Sequence, residues 1–193
     1  MSRSSNRLAA AGLALCALAF AAAPAAADAA KDAGCLWRKL PRATHDATLA
    51  GYKAGGPGPM IQALNADQAA MDAAAAACKV TADPNEPAYR ALMLQVLKDT
   101  SGRVMKDQYK VDPAALDRGW AALPAADRQR FINVALKPDD ATKEDFAFAA
   151  ELVNKLPGAA LLTDEAARRH LAFYMFAVAR LSAPPPISPS PGA

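Results

Sequence analysis

The chain has 193 residues, of which 53% are hydrophobic, 21% charged and only 6% aromatic, and 51 are alanine. The 15 prolines and 10 glycines are too few for a collagen or a wholly disordered chain, and the scarcity of β-branched and aromatic residues argues against a long β-sandwich. The formal net charge is +3, of which Arg3 and Arg7 near the N-terminus supply two, and the nearly neutral remainder with interspersed signs leaves no electrostatic footprint for nucleic acid or an anionic membrane; the length predicts one domain, or two small ones, of closely approaching helices.

The first element is an address. Residues 1 to 7 carry Arg3 and Arg7 and no acid, and residues 8 to 27 form an uncharged, Ala/Leu-rich run. This is the three-part pattern of a secretory signal peptide. Pro24 precedes the small residues Ala25, Ala26 and Ala27, which places cleavage after Ala27 and makes Asp28 the new N-terminus. An uncleaved anchor is the alternative, since twenty helical residues span about 30 Å of hydrocarbon, but alanine is weakly apolar and Pro24 would sit at the outer end. Both readings send residues 28 to 193 out of the cytoplasm, so the expected location is periplasmic or secreted. Leu15 is too large to precede a lipidated Cys16. Removing residues 1 to 27 leaves 20 basic side chains (22 minus Arg3 and Arg7) against 19 acidic ones, a net of +1.

Cys35 and Cys78 then remain, an even number in a compartment that favours disulfides. Their bridge closes a loop of about 44 residues, for which chain entropy gives roughly 4 kcal/mol. A redox pair or thiolate metal ligands fit less well, without a CxxC or histidines at finger spacing.

Helices are predicted throughout the region 28–182. Asp28 to Leu40 ends before Pro41. Ala43 to Ala54 ends at Gly55-Gly56-Pro57-Gly58-Pro59, five breakers that predict a loop. Met60 to Val80 follows, with an interruption near Asn65. Asn85 is the expected cap of a helix that starts at Pro87, and Tyr89, Leu92, Met93, Val96 and Leu97 form its amphipathic stripe. After Thr100-Ser101-Gly102 the pattern resumes through Val104, Met105 and Tyr109.

Asp112-Pro113 starts a helix bearing Leu116, Trp120 and Leu123. Pro124 starts another bearing Phe131, Ile132, Ala135 and Leu136. Thr142 and Asp145 match a capping box, and the helix they open is expected to bury Phe146, Ala149, Val153 and Leu156 before Pro157-Gly158. Thr163-Asp164-Glu165 announces the last helix, apolar almost all round from His170 to Leu181 and too short to cross a bilayer. Trp37, Trp120, Phe173 and Phe176 are the expected core anchors. The tail, residues 183 to 193, has five prolines and reads as solvated and extended.

Trp37-x-x-Leu40-Pro41 recurs as Trp120-x-x-Leu123-Pro124, 83 residues apart. This is compatible with a diverged tandem of two three-helix units, and equally with two apolar groups on a helical face followed by a breaker.

Catalytic signatures are lacking: no Gly-rich phosphate loop, GxSxG, SxxK or HExxH. His45 beside Asp46 reads as an exposed polar pair, and His170 as a partly buried, hydrogen-bonded side chain. The methionines read as core filling rather than copper ligands. Asp139, Asp140, Glu144 and Asp145 read as a cap plus a solvated face. Glu86 and Glu151 are available as a carboxylate pair for glycoside cleavage, but no aromatic-rich groove accompanies them. Neither a cofactor nor a metal is predicted.

The expectation is an all-α, single-domain bundle of about six to eight short helices with one intrachain disulfide. The leading functional reading is a non-catalytic interaction or binding module of the bacterial envelope with a protein partner there, without nucleic acid and without a stable membrane span in the mature chain. A cell-wall-directed hydrolase and a carrier of a small apolar ligand are the alternatives, and the pattern specifies no oligomeric state.

Overall fold

The computed structural model describes residues 23–81, 83–159 and 164–183, with side chains from Asp28 onward. Among them all regular structure is helical: α1 (Ala23–Lys39), α2 (Arg42–Gly55), α3 (Pro57–Asn65), α4 (Gln68–Cys78), α5 (Pro87–Tyr109), α6 (Pro113–Ala122), α7 (Ala125–Leu136), α8 (Lys143–Asn154) and α9 (Glu165–Ser182), with a 3-10 turn at Pro138–Asp140. The stretch from Met60 to Val80 is divided near Asn65, as expected, which brings the described helices to nine. Asp67 accepts a hydrogen bond from the Ala70 amide and so caps α4 as a separate helix. No helix among the described residues is long and apolar enough to cross a membrane. Residues 1–22 of the leader and the prolines of the tail lie outside the described residues, and the expected cleavage point after Ala27 falls within α1.

Two apolar clusters organise the bundle. The N-terminal one gathers Leu36 and Trp37 of α1, Tyr52 of α2, Met60 and Leu64 of α3, Met71 of α4, and Leu92 and Val96 of α5. The C-terminal one gathers Met105 of α5, Leu116 and Trp120 of α6, Phe131 and Ile132 of α7, Leu152 of α8, and Leu171, Tyr174 and Met175 of α9. Helices α5 and α9 pack along each other and serve both clusters, while α1 lies on α5 and α4. Cys35 and Cys78 are joined, with an S–S distance of 2.04 Å and a Cα–Cα distance of 5.9 Å, which clips α1 to α4.

Both Trp-x-x-Leu-Pro segments make the same corner. The amides of Leu40 and Leu123 donate to the carbonyls of Trp37 and Trp120, at 3.3 and 3.2 Å, and Pro41 and Pro124 occupy the N-cap positions of α2 and α7 in extended conformation. The ring partners differ: Trp37 meets His45 at a tilt of 41°, and Trp120 meets Phe131 edge-on. Both tryptophans are buried, whereas Phe173 and Phe176 are only half-buried.

Several expectations are corrected. The predicted loop at residues 55–59 is a single-residue turn, because Gly56 takes φ 77° and Pro57 begins α3 at a position needing no amide hydrogen. The resulting hairpin is tight: a Cβ on Gly51 would lie 2.6 Å from the Pro59 carbonyl oxygen. Helix α5 runs through Thr100 and Ser101, whose hydroxyls fold back onto the Val96 and Leu97 carbonyls instead of ending the helix. Its N-cap is Glu86 rather than Asn85; the Asn85 amide is bound by the Asp83 carboxylate. Leu136 and Phe146, expected in the core, are exposed, and Ala183, expected to head the solvated tail, is buried in the C-terminal cluster.

Candidate functional site

The capping box at the start of α8 forms as predicted. The Thr142 hydroxyl accepts from the Asp145 amide, and the Asp145 carboxylate accepts from the Thr142 amide. Arg130 of α7 donates to the same carboxylate at 2.9 Å and lies 4.2 Å from the Phe148 ring centroid. The Arg130 hydrogen bond first, then those of Thr142, hold the Asp145 carboxyl below the ordinary carboxylate range. Helix α8 is thus tied to α7 at its N-terminal end, yet Leu152 is its only buried side chain.

That sparse anchoring leaves a groove among α7, α8 and α9. It has a volume of about 360 Å³ and is lined by Phe131, Ala149, Ala150, Val153, Asn154, Ala159, Arg168, Leu171 and Ala172. Residues 160–163, which follow Ala159, lie outside the described residues. Four of the nine described liners are alanine, so short side chains face one another where leucines would have met. Phe146, 51% exposed, stands three and four residues before Ala149 and Ala150. It therefore extends the α8 wall by one turn. Behind the groove, Phe131 contacts Trp120 with ring centroids 5.5 Å apart.

A second polar feature joins α2 to α9. The Tyr52 hydroxyl and Nδ1 of His170 are hydrogen-bonded at 2.8 Å, and the Tyr109 ring of α5 lies 6.0 Å from the imidazole. Tyr52 is buried, and burial raises its pKa well above the ordinary phenol value. The phenol therefore keeps its proton, and the bond joins it to the imidazole across 118 positions of the chain. Burial, and next the charge of Arg169, lower the His170 pKa, with Asp164 opposing.

A third network closes the other side of α9. The Tyr174 hydroxyl donates to Asp117 at 2.8 Å and lies 3.1 Å from the Pro113 carbonyl, and Lys98 reaches the second Asp117 oxygen at 2.8 Å. With Tyr174 itself buried, this arrangement holds α5, α6 and α9 together.

The other residues singled out by sequence do not converge. His45 is half-buried against the Trp37 ring, 3.8 Å between centroids and tilted by 41°, rather than an exposed partner of Asp46, which lies 3.7 Å from Arg42. Glu86 is exposed at the start of α5, and Glu151 on α8 is bound to Lys155 at 2.7 Å. Asp140 and Asp145 flank a shallow polar recess with Arg130 and Lys137, while Asp139 and Glu144 are exposed. Among the described residues no group of three or more His, Cys, Asp or Glu could hold a metal ion. The groove and the Tyr52–His170 pair were not legible in sequence, since each depends on residues from distant helices. No family model, curated protein or solved structure matches the chain.

Proposed function

We propose that the chain is an exported, non-catalytic binding protein and that the groove among α7, α8 and α9 takes a small apolar ligand. The carrying observation is the groove itself: about 360 Å³, at the lower end of the range for ligand sites, with apolar walls and two polar liners. The disulfide and the leader pattern support an oxidising compartment outside the cytoplasm. The dispersal of His45, His170, Glu86 and Glu151 gives the hydrolase reading no support.

Titration of the oxidised protein with decanol tests this, followed by native mass spectrometry and by tryptophan emission, since Trp120 backs the groove through Phe131. Saturable one-to-one binding is expected. Ala172→Leu or Ala149→Leu should weaken it at least about tenfold by filling the space, without lowering Tm, because a leucine there occupies a void. Absence of saturable binding, or full affinity in both filled variants, would remove the reading.

Half-exposed Phe146 favours a second reading, in which a protein partner covers α8. A photo-crosslinking residue replacing Phe146 would then give a discrete adduct in the envelope that the same residue at exposed Ala73 of α4 does not.

A further inference from the structure

Helix α8 is held unlike its neighbours. Of its twelve residues only Leu152 is buried, whereas the ten of α6 bury Leu116 and Trp120 and the twelve of α7 bury Phe131, Ile132 and Ala135. Its backbone packs along α7 and approaches α9 little, and the groove lies on that side.

Its two ends differ. Just beyond the C-terminal end the chain is pinned: Leu156 and Ala159 are buried, a Cβ on Gly119 would lie 2.5 Å from Pro157 Cδ, and one on Gly158 would lie 3.1 Å from Val111 Cγ1. Gly158 turns the chain there with φ 84°, which glycine adopts freely. At the N-terminal end the hold is polar and exposed. The Asp145 carboxylate takes the Arg130 guanidinium on one oxygen and the Thr142 amide and hydroxyl on the other, and the Arg130 and Asp145 side chains are 48% and 29% exposed. One carboxylate thus both caps α8 and docks it on α7. The segment leading in from α7, residues 137–141, buries no side chain.

We propose that α8 is a flap: it opens as a unit about its pinned C-terminal end when the Arg130–Asp145 clasp parts, and it closes again without the rest of the bundle unfolding. Elements with few buried apolar groups and exposed anchoring bonds open locally, below the free energy of global unfolding. Opening gives up the burial of Leu152 and the contact of Arg130 with the Phe148 ring at 4.2 Å. It carries away the wall formed by Ala149, Ala150 and Val153, while Phe131 stays with α7 and Leu171 and Ala172 stay with α9, so that a ligand can pass in or out. That consequence rests on the groove being a ligand site; the flap itself does not.

Native-state hydrogen exchange of the oxidised protein at neutral pH, read by mass spectrometry on peptides from α5, α7, α8 and α9, tests this. The amides of residues 147–154 are expected to exchange together, at least about tenfold faster than those of α5 and α9. Arg130→Ala should speed the α8 amides about tenfold more, the combined strength of an exposed ion pair and a cation–π contact, and leave α5 and α9 unchanged. Arg130→Lys should recover part of the protection. Lys155→Gln, which breaks only the pair with Glu151 inside α8, should change the rates less than about threefold. Protection of α8 equal to that of α5 and α9, or an acceleration in Arg130→Ala shared by all the helices, would overturn the flap. Decanol supplies the second readout, since its dissociation should quicken in Arg130→Ala about as much as α8 exchange does. Failure of decanol to bind, with the exchange pattern intact, would remove the groove as a ligand site and uphold the flap; decanol released at an unchanged rate would overturn the role of the flap in ligand access.

Discussion

Joint replacement Cys35→Ala and Cys78→Ala removes the clip between α1 and α4 without leaving a lone thiol. The bridged residues are separated by 43 positions, and chain entropy for a loop of that size gives about 4 kcal/mol at 25 °C. Cys78 is only partly buried against the N-terminal cluster, so the alanines forfeit little packing and the cost falls on the greater freedom of the unfolded chain. Against a typical margin of about 5–15 kcal/mol this is a large fraction. For a domain of roughly 155 residues it corresponds to a fall in Tm of about 12 °C. Urea unfolding followed by helical circular dichroism is the assay, run on the oxidised protein, the reduced protein and the double variant. Reduction and double replacement should agree within about 1 kcal/mol. A loss below about 1 kcal/mol, or two alkylatable thiols in untreated protein, would refute the reasoning.

Acid should weaken the fold through His170. The unfolded side chain takes its proton near pH 6.5, whereas the folded one, with its pKa lowered by burial and Arg169, takes it only at lower pH. The stabilisation is complete above about pH 6.5 and is lost as the pH falls through the folded value. His170→Asn, which keeps an acceptor for Tyr52 but cannot titrate, should flatten that part of the stability–pH curve; superimposable curves would discard the mechanism. Gly119→Ala would bring a Cβ within 2.5 Å of Pro157 Cδ and should cost about 1–3 kcal/mol in thermal melts. Gly58→Ala, which meets nothing within 4 Å, should cost nothing and add up to about 1 kcal/mol. Tyr174→Phe removes the hydroxyl shared with Asp117 and Pro113 and should lower urea stability by about 1–3 kcal/mol. A double-mutant cycle with Asp117→Asn would show coupling between the two changes.

The parts of this molecule readable from sequence are those written in local code. The stripe from Tyr89 to Leu97, the Thr142–Asp145 box and the proline starts at Pro87 and Pro113 each lie within a few residues, and each appears where expected. Cys35 and Cys78, the two cysteines of the region 28–193, are joined as their even number led us to expect. Local code fails where the same residue serves opposite ends of a rule. Pro57 reads as a breaker but begins a helix, and Thr100-Ser101 reads as a stop but folds its hydroxyls back onto the preceding turn. Phe146 has the right phase for the core, since it shares a stripe with Ala149 and Val153, but phase alone does not show whether another helix arrives to cover it. The Tyr52–His170 bond spans 118 positions, and the groove is made by alanines indistinguishable in composition from those of α4. Both required the tertiary arrangement.

Helices α5 and α9 contribute to both apolar clusters: Leu92 and Met105 sit at opposite ends of the first, while Ala177 and Leu171 face different clusters from the second. Neither half of the polypeptide therefore owns a complete interior. A protease nick at residues 110–112 would yield two pieces with matching greasy faces, and Cys35–Cys78, lying wholly within the first piece, could not tether the second. Such pieces are expected to cling together by complementation, eluting as one species from a sizing column in buffer and as two in urea.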